Sequence, residues 1–139
     1  MSEQNKRLVQ RFYDEVENQQ KLDVADELIA ADFRDVYNGA APFPVVGVAG
    51  IKKLAAGLHA MFDLTIKVED LVADGDKVVA RIACGFTHKS PFLGAAPTGR
   101  KFVVQGVEIF RVVNGKLAER WVFIDSVPML KDLGALPAH

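Results

Sequence analysis

Cysteine and long apolar runs are nearly absent from this chain of 139 residues. Its one cysteine, Cys84, cannot form an internal disulfide, which predicts a cytoplasmic protein. No apolar stretch approaches the ~20 residues that span a bilayer, and the polar N-terminus, MSEQNKRLVQ, lacks the apolar part of a secretory signal. The formal net charge of −1 provides no general attraction to nucleic acid or to an anionic membrane. We therefore expect neither as a partner.

Common catalytic motifs are missing as well. There is no glycine-rich phosphate loop, no serine in a G-x-S-x-G turn, and no His/Cys/Asp cluster with metal-ligand spacing. Cys84 lies in the apolar segment VVARIACGF without a neighbouring cation to lower its pKa, which favours buried packing over a nucleophilic role. We expect no metal and no cofactor.

Half of the residues are hydrophobic, and their spacing changes along the chain. Apolar positions repeat with helical period first and with strand period afterwards. The predicted helices cover 3–19, 23–31, 48–62 and 127–133, and the predicted strands cover 65–73, 77–88, 100–113 and 116–125. Helices followed by antiparallel strands predict a single α+β domain over residues 1–139.

Asn114-Gly115 is the strongest turn signal in the sequence and predicts a two-residue hairpin loop. Without a bulge, Glu108 then lies opposite Trp121, and opposed residues share a face of the sheet. One face carries Val104, Gly106, Glu108, Phe110, Val112, Leu117, Glu119, Trp121, Phe123 and Asp125. The other carries Gln105, Val107, Ile109, Arg111, Ala118, Arg120, Val122 and Ile124. A bulge would shift the register by one and exchange the faces.

Three titratable residues are the candidates for chemistry. Glu108 and Asp125 share the predicted aromatic face, where burial would raise their pKa values and let one of them move a proton near neutral pH. The alternatives are a solvated edge or pairing with arginine, and for Asp125 a cap on the terminal helix. His88 ends the second strand, and its ordinary pKa suits acid–base work, although a structural histidine is the simpler interpretation.

Two long motifs resemble one known family. Residues 87–100, THKSPFLGAAPTGR, resemble the GTHxGxFxGxxPTGR segment of the SnoaL-like polyketide cyclases. Residues 115–121, GKLAERW, with Asp125 and Leu133-Gly134 after them, resemble that family's dGkIxExWxxxDxxxLxxQLG ending. The resemblance covers essentially the whole chain. It implies the cone-shaped fold of nuclear transport factor two, in which a curved, mostly antiparallel sheet and three to four helices enclose a deep cavity.

The resemblance also implies a function. Cyclases of this family close a polyketide ring by an intramolecular aldol reaction without metal or cofactor, and Asp125 matches the position of their base. It implies an enzyme of the cyclase, isomerase or lyase type that transfers a proton on a hydrophobic carbonyl compound, with His88 or Glu108 assisting Asp125. The expected ligand contacts are Tyr37, Phe33, Leu58, Phe62, Phe92, Phe110, Trp121 and Phe123. A non-catalytic carrier of a small hydrophobic molecule and a protein-interaction module are the alternatives.

The outer sheet face predicts the oligomeric state. In the unbulged register Val107, Ile109, Val122 and Ile124 form an apolar patch there, and exposed patches of this kind usually mark interfaces. Two-fold dimers are the commonest assembly, so we expect a homodimer through this face. The alternative is that a helix of the same chain covers it.

Overall fold

The structure is a computed structural model, and it describes residues 2–88 and 99–134. The α-helices are α1 (Ser2–Arg11), α2 (Ala25–Leu28), α3 (Gly47–Met61) and α4 (Val127–Asp132). The strands are β1 (Ile29–Asn38), β2 (Thr65–Asp74), β3 (Lys77–Thr87), β4 (Lys101–Val113) and β5 (Lys116–Asp125). No helix within the described ranges is long and apolar enough to cross a membrane.

The five strands form one curved, open sheet in the order β1-β5-β4-β3-β2. The pairs β2–β3, β3–β4 and β4–β5 are antiparallel, whereas β1 runs parallel to β5. The concave face packs against the helices, and the predicted α+β fold with a curved sheet and three to four helices is confirmed.

Two helices differ from the prediction. The first continues beyond α1 as a π-helix over Phe12–Asn18, which the sequence pattern does not distinguish from an α-helix. The second ends at Leu28 instead of residue 31, and the chain becomes β1, which the sequence analysis missed. Pairing of β1 with β5 is irregular at two places, so its residues do not alternate cleanly between buried and exposed positions. Periodicity therefore gave no strand signal there.

The core lies between the first helix and the concave face of β4. Phe12 and Tyr13 make edge-to-face contacts with Phe110, with ring centroids 5.7 and 5.9 Å apart. Contacts of this kind add about 0.5–1.5 kcal/mol to the stabilisation from burial. Phe33 is fully buried in the same core. Phe33 and Phe110 are thus core residues, and the prediction that they contact a ligand is wrong because their rings are enclosed by packing.

The β4–β5 hairpin begins as predicted. Asn114 and Gly115 have φ angles of 50° and 74°, as a two-residue turn of this type requires, and Val113 pairs with Lys116. Val112 then pairs with Leu117, but Arg111 pairs with Glu119. Ala118 is therefore an extra residue on β5, a β-bulge, and both it and Leu117 are buried.

The bulge reverses the faces of β5 from residue 119 onwards. Glu108 lies opposite Val122, and Gln105 lies opposite Asp125. The faces predicted for β4 are confirmed, whereas those predicted for β5 beyond the bulge are wrong. The concave face carries Arg120, Val122 and Ile124, and the outer face carries Glu119, Trp121, Phe123 and Asp125.

Candidate functional site

A cavity of about 160 Å³ lies between α3, the π-helix and the concave face of the sheet. Its walls are mainly apolar, and Leu58 and Phe62, two of the predicted ligand contacts, lie in them together with Leu54, Leu64, Ile66, Phe86, Val104, Val122 and Ile124. The ionisable side chains in its lining are Glu17, Glu108, Arg120 and Cys84. The cavity therefore combines an apolar interior with a concentrated set of buried charges.

Arg120 is the centre of this charged set. Its Nε and Nη2 atoms donate to the two carboxylate oxygens of Asp35, each at 2.7 Å, and its Nη1 donates to Oε1 of Glu108 at 3.4 Å. Burial alone would lower the pKa of Arg120, but Glu108 and Asp35 raise it, so the guanidinium stays charged. The two-point contact with Asp35 also fixes the plane of the guanidinium.

Glu108 joins the set from β4. Its Oε1 accepts a hydrogen bond from the hydroxyl of Tyr13 at 2.8 Å as well as the contact from Arg120. Burial raises the pKa of Glu108, while Arg120 and the hydroxyl of Tyr13 act in the opposite direction. Because Oε1 already accepts two donors, Oε2 is the oxygen that can carry a proton. Burial also raises the pKa of Tyr13, which keeps its hydroxyl protonated.

Glu17 comes from the π-helix, and only 4% of the residue is exposed. Its Oε2 has no hydrogen-bond partner among the described residues. Burial raises the pKa of Glu17 to about 7, Arg120 opposes that rise, and Glu108 and Asp35 add to it. A carboxyl with this pKa, held in an apolar cavity, can accept or release a proton at neutral pH.

Cys84 lies on the cavity wall and is not a nucleophile in this setting. Burial raises the pKa of its thiol to about 12, so the reactive thiolate is essentially absent at neutral pH. This agrees with the packing interpretation of the residue.

Asp125 lies outside the cavity. It is exposed on the outer face of the sheet, near Arg81, Gln105 and Phe123, so the prediction that it is half buried and faces the cavity is wrong. The Ala118 bulge is the physical reason. The cap of α4 is Ser126, with no side-chain capping hydrogen bond, so the capping alternative does not apply either. Its position removes the basis for the assignment of Asp125 as base.

The other predicted site residues are scattered. His88 is fully buried beside Phe62, with which it forms an isolated β-bridge, and it does not line the cavity. Trp121 and Phe123 lie on the outer face because of the bulge, and Tyr37, which is 51% exposed, stacks on Phe123 there at a centroid distance of 5.1 Å. None of the three lines the cavity, although Tyr37 and Phe123 line a cleft that shares Val122 and Ile124 with it. That they contact a ligand stays a prediction. Phe92 lies outside the described residues.

Sequence reasoning missed Tyr13, Glu17, Asp35 and Arg120. Tyr13 and Glu17 are four residues apart on the buried side of a helix, which is a signal that could have been used. Arg120 alternates with Val122 and Ile124, but the same pattern fits a solvated face equally well. Asp35 lies in the unrecognised strand β1.

Among residues 2–88 and 99–134, no group of three or more His, Cys, Asp or Glu side chains is placed to hold a metal ion. That the protein works without metal or cofactor stays a prediction.

A curved open sheet with four helices around a lined cavity defines the class of α+β proteins built like nuclear transport factor two. Within this class the sequence profile of the SnoaL-like polyketide cyclases matches residues 7–133. The chain belongs to the SnoaL-like polyketide cyclase family.

Solved structures agree with this assignment. IdmH from Streptomyces antibioticus, a candidate polyketide cyclase, is 32% identical, and the match covers 94% of this chain and 98% of IdmH with a TM-score of 0.82. AclR from Streptomyces galilaeus, a candidate hydroxylase, is 30% identical over 99% of this chain and 100% of AclR, with a TM-score of 0.82. A candidate SnoaL-like cyclase from Jannaschia sp. CCS1 is 28% identical over 98% of this chain and 95% of its own, with a TM-score of 0.83. No curated protein matches the chain.

Family and neighbours together support a function of the small-molecule enzyme type.

Proposed function

We propose that this protein catalyses proton transfer on a hydrophobic carbonyl compound, in a cyclase- or isomerase-type reaction that uses only its own side chains. The observation that carries the proposal is Glu17, a carboxyl with one unbonded oxygen and a pKa of about 7 in an apolar cavity. A base works best when its pKa lies near the operating pH, because it is then partly ionised and still basic enough to take a proton.

Glu17 would take a proton from the carbon next to the carbonyl group. The electron pair of the broken C–H bond moves into the carbonyl, which becomes an enolate oxygen with developing negative charge. Arg120 lies in the same cavity lining and stays charged, so it stabilises that charge electrostatically. A fixed cation in a cavity from which water is excluded is far more effective than one in water.

Glu108 would act on the carbonyl oxygen. Its raised pKa favours the protonated form, and its Oε2 is the oxygen that can carry the proton. A neutral carboxylic acid that donates to a developing oxyanion is an established way to lower such a barrier. Tyr13 and Arg120 hold the other oxygen of Glu108 and so keep the group oriented.

In a ring closure, the enolate carbon attacks a second carbonyl group of the same molecule. The new carbon–carbon bond leaves an alkoxide, which takes up the proton that Glu17 accepted in the first step. No atom is gained or lost, and no oxidant is required. The candidate cyclase IdmH, with its 32% identity, supports this type of chemistry for the chain.

The apolar walls restrict the substrate to a compound that is neutral over most of its surface. An anionic substrate would add a charge beside Glu17, which ionises near neutral pH, and the charge of Arg120 is already shared with Asp35. Burying a further unpaired anion is strongly unfavourable.

Exchange of α-protons tests the proposal without knowledge of the natural substrate. The hydrophobic ketone 2-tetralone is incubated with the protein in D2O, and the loss of its α-proton signals is followed by NMR. Wild-type protein should accelerate exchange, and Glu17→Gln should reduce the rate by roughly 10²–10⁴-fold, the usual contribution of a general base. Asp125→Asn is the matched control and should stay within about twofold, because its carboxylate is exposed on the other face.

The opposite result is equally informative. If the ketone binds, as shown by perturbed cavity resonances, but exchange is not accelerated, the protein is a carrier of small hydrophobic molecules. If Asp125→Asn and not Glu17→Gln abolishes exchange, the assignment of Glu17 is wrong.

A further inference from the structure

The peptide segment that carries Glu17 is held from two sides by side chains that do not touch the cavity charges. Asn18 follows Glu17 directly and ends the π-helix. Its Nδ2 donates to the carbonyl oxygen of Ile66 at 2.8 Å, and its Oδ1 accepts from the backbone N–H of the same residue at 2.7 Å. One side-chain amide thus satisfies both backbone groups of one strand residue.

The side chain of Asn18 bonds to β2 in the way that the backbone of a neighbouring strand would. β2 is an edge strand of the sheet, and the N–H and C=O of a strand residue point to the same side. Because both groups of Ile66 bond to Asn18, they point away from β3. Asn18 therefore closes the open edge of the sheet at the residue whose side chain forms part of the cavity wall.

His59 holds the same segment from α3. Its Nε2–H donates to the backbone carbonyl oxygen of Glu17 at 2.5 Å. In a π-helix the N–H of residue i+5 bonds to the carbonyl oxygen of residue i, so the carbonyl groups have different partners from those in an α-helix. Such turns occur often at functional sites. The imidazole supplies a donor for the carbonyl of the residue whose side chain enters the cavity.

We infer that Asn18 and His59 are positioning residues for Glu17, which fix the π-helical turn between the sheet edge and α3 so that the carboxyl stays in the cavity. The inference rests on the proposed function for its kinetic consequence only. Neither side chain lines the cavity, so neither is a catalytic residue. Asn18 bonds to the backbone of Ile66, and His59 bonds to the backbone carbonyl of Glu17. Arg120, Glu108 and Asp35 are the charged groups that act on the carboxyl.

The first test uses Asn18→Ala, with Asn114→Ala as the matched control. Both changes remove an asparagine amide, but Asn114 lies at the tip of the β4–β5 hairpin, away from the cavity lining. The titration of Glu17 is followed by NMR of the ¹³Cδ carboxyl carbon, with Glu17→Gln to assign the signal. No substrate is needed for this measurement.

In Asn18→Ala the carboxyl should gain contact with water, so that its pKa falls from about 7 towards its ordinary value by ~1 or more. The kcat for α-proton exchange of 2-tetralone should fall about tenfold or more with KM within about twofold, because misplacement of a reacting group lowers the rate rather than binding. Asn114→Ala should lower the melting temperature and leave both quantities unchanged. An unchanged Glu17 titration in folded Asn18→Ala would overturn the inference.

The second test uses His59 and remains valid if Asn18→Ala does not fold. His59→Leu removes the shorter of two donors to the carbonyl oxygen of Glu17, the other being Nε2 of Gln20 at 3.4 Å. His59→Gln instead places an amide N–H within a similar distance of that oxygen. The first variant should shift the titration of Glu17 and reduce kcat, and the second should restore both. Equal behaviour of the two variants would contradict a positioning role.

The outcomes separate this inference from the proposed function. If Glu17→Gln exchanges protons as fast as wild type while Asn18→Ala still moves the Glu17 titration, the chemistry is wrong and the positioning is correct. If Glu17→Gln is inactive while the Asn18 and His59 variants are normal, the chemistry stands and the positioning role is refuted.

Discussion

The two faces of the β4–β5 hairpin carry the same kinds of charged residues in opposite environments. On the concave face Arg120 pairs with Asp35 and Glu108, and these side chains are 2–8% exposed. On the outer face Arg111 and Arg34 pair with Glu119, and the two arginine side chains are 34% and 61% exposed. Hydrogen bonding to Arg111 lowers the pKa of Glu119, whereas burial raises the pKa of Glu108.

This difference shows that residue types alone do not make a reactive site. An ion pair in water gains little, because solvent screens both charges and the long side chains lose entropy. The same groups without water shift one another's pKa values strongly and become able to exchange protons. The fold determines which charged groups are shielded from water, and the Ala118 bulge is the local feature that places Arg120 on the buried face.

Truncation of the inner arginine should have the largest effect. Arg120→Ala leaves Asp35 and Glu108 buried without their cation, and breaking a buried pair typically costs about 3–5 kcal/mol. Arg111→Ala is the outer counterpart and should have a much smaller effect, because solvent screens its pair with Glu119. Urea unfolding of both variants measures the difference. Equal losses would show that the two faces are not energetically distinct.

The two acids should give opposite pH dependences of stability. The folded-state pKa of Glu17, about 7, is higher than its ordinary value of 4.5, so the folded protein holds this proton more tightly than the unfolded chain. The contribution of Glu17 to the free energy of unfolding is fully present below about pH 4.5 and is lost as the pH rises through 7. The loss amounts to roughly 3 kcal/mol. Glu17→Gln should remove this loss and be more stable than wild type at pH 8.

Glu119 should give the opposite pH dependence of stability, because its folded-state pKa is lowered. Its contribution is present above the ordinary pKa of a glutamate and is lost as the pH falls through the lowered folded value. Glu119→Gln should therefore reduce stability at neutral pH and not at strongly acidic pH. Urea midpoints between pH 3 and 8 measure both variants, and a parallel pH dependence in the two would contradict the contrast.

The smallest effect concerns the homodimer, which stays a prediction. With the bulge, its patch on the outer face consists of Val107, Ile109, Trp121 and Phe123, since Val122 and Ile124 face inwards. Phe123 is 48% exposed. We expect light scattering at micromolar concentration to give about twice the mass of one chain, and Phe123→Ser to weaken the dimer by about tenfold. Asp125→Asn should leave it intact. A monomeric wild type would refute the proposal.

Much of this architecture follows from neighbouring residues along the chain. The apolar spacing of α1 and α3, the Asn114-Gly115 turn and the alternating faces of β4 depend on local backbone preferences and on a single buried side. The two long motifs around residues 87–100 and 115–134 were enough to indicate the family, which the profile match over residues 7–133 shows.

Only the tertiary structure decided which acid lies in the cavity. The bulge at Ala118 is favourable because Arg120 then meets Asp35, a residue 85 positions away on a strand that periodicity does not reveal. Glu17 has its raised pKa because packing of the π-helix against the sheet removes water from it, and burial of this kind is a property of the assembled core. Asp125 carries the family's motif in the sequence, but the register of one strand places it in water.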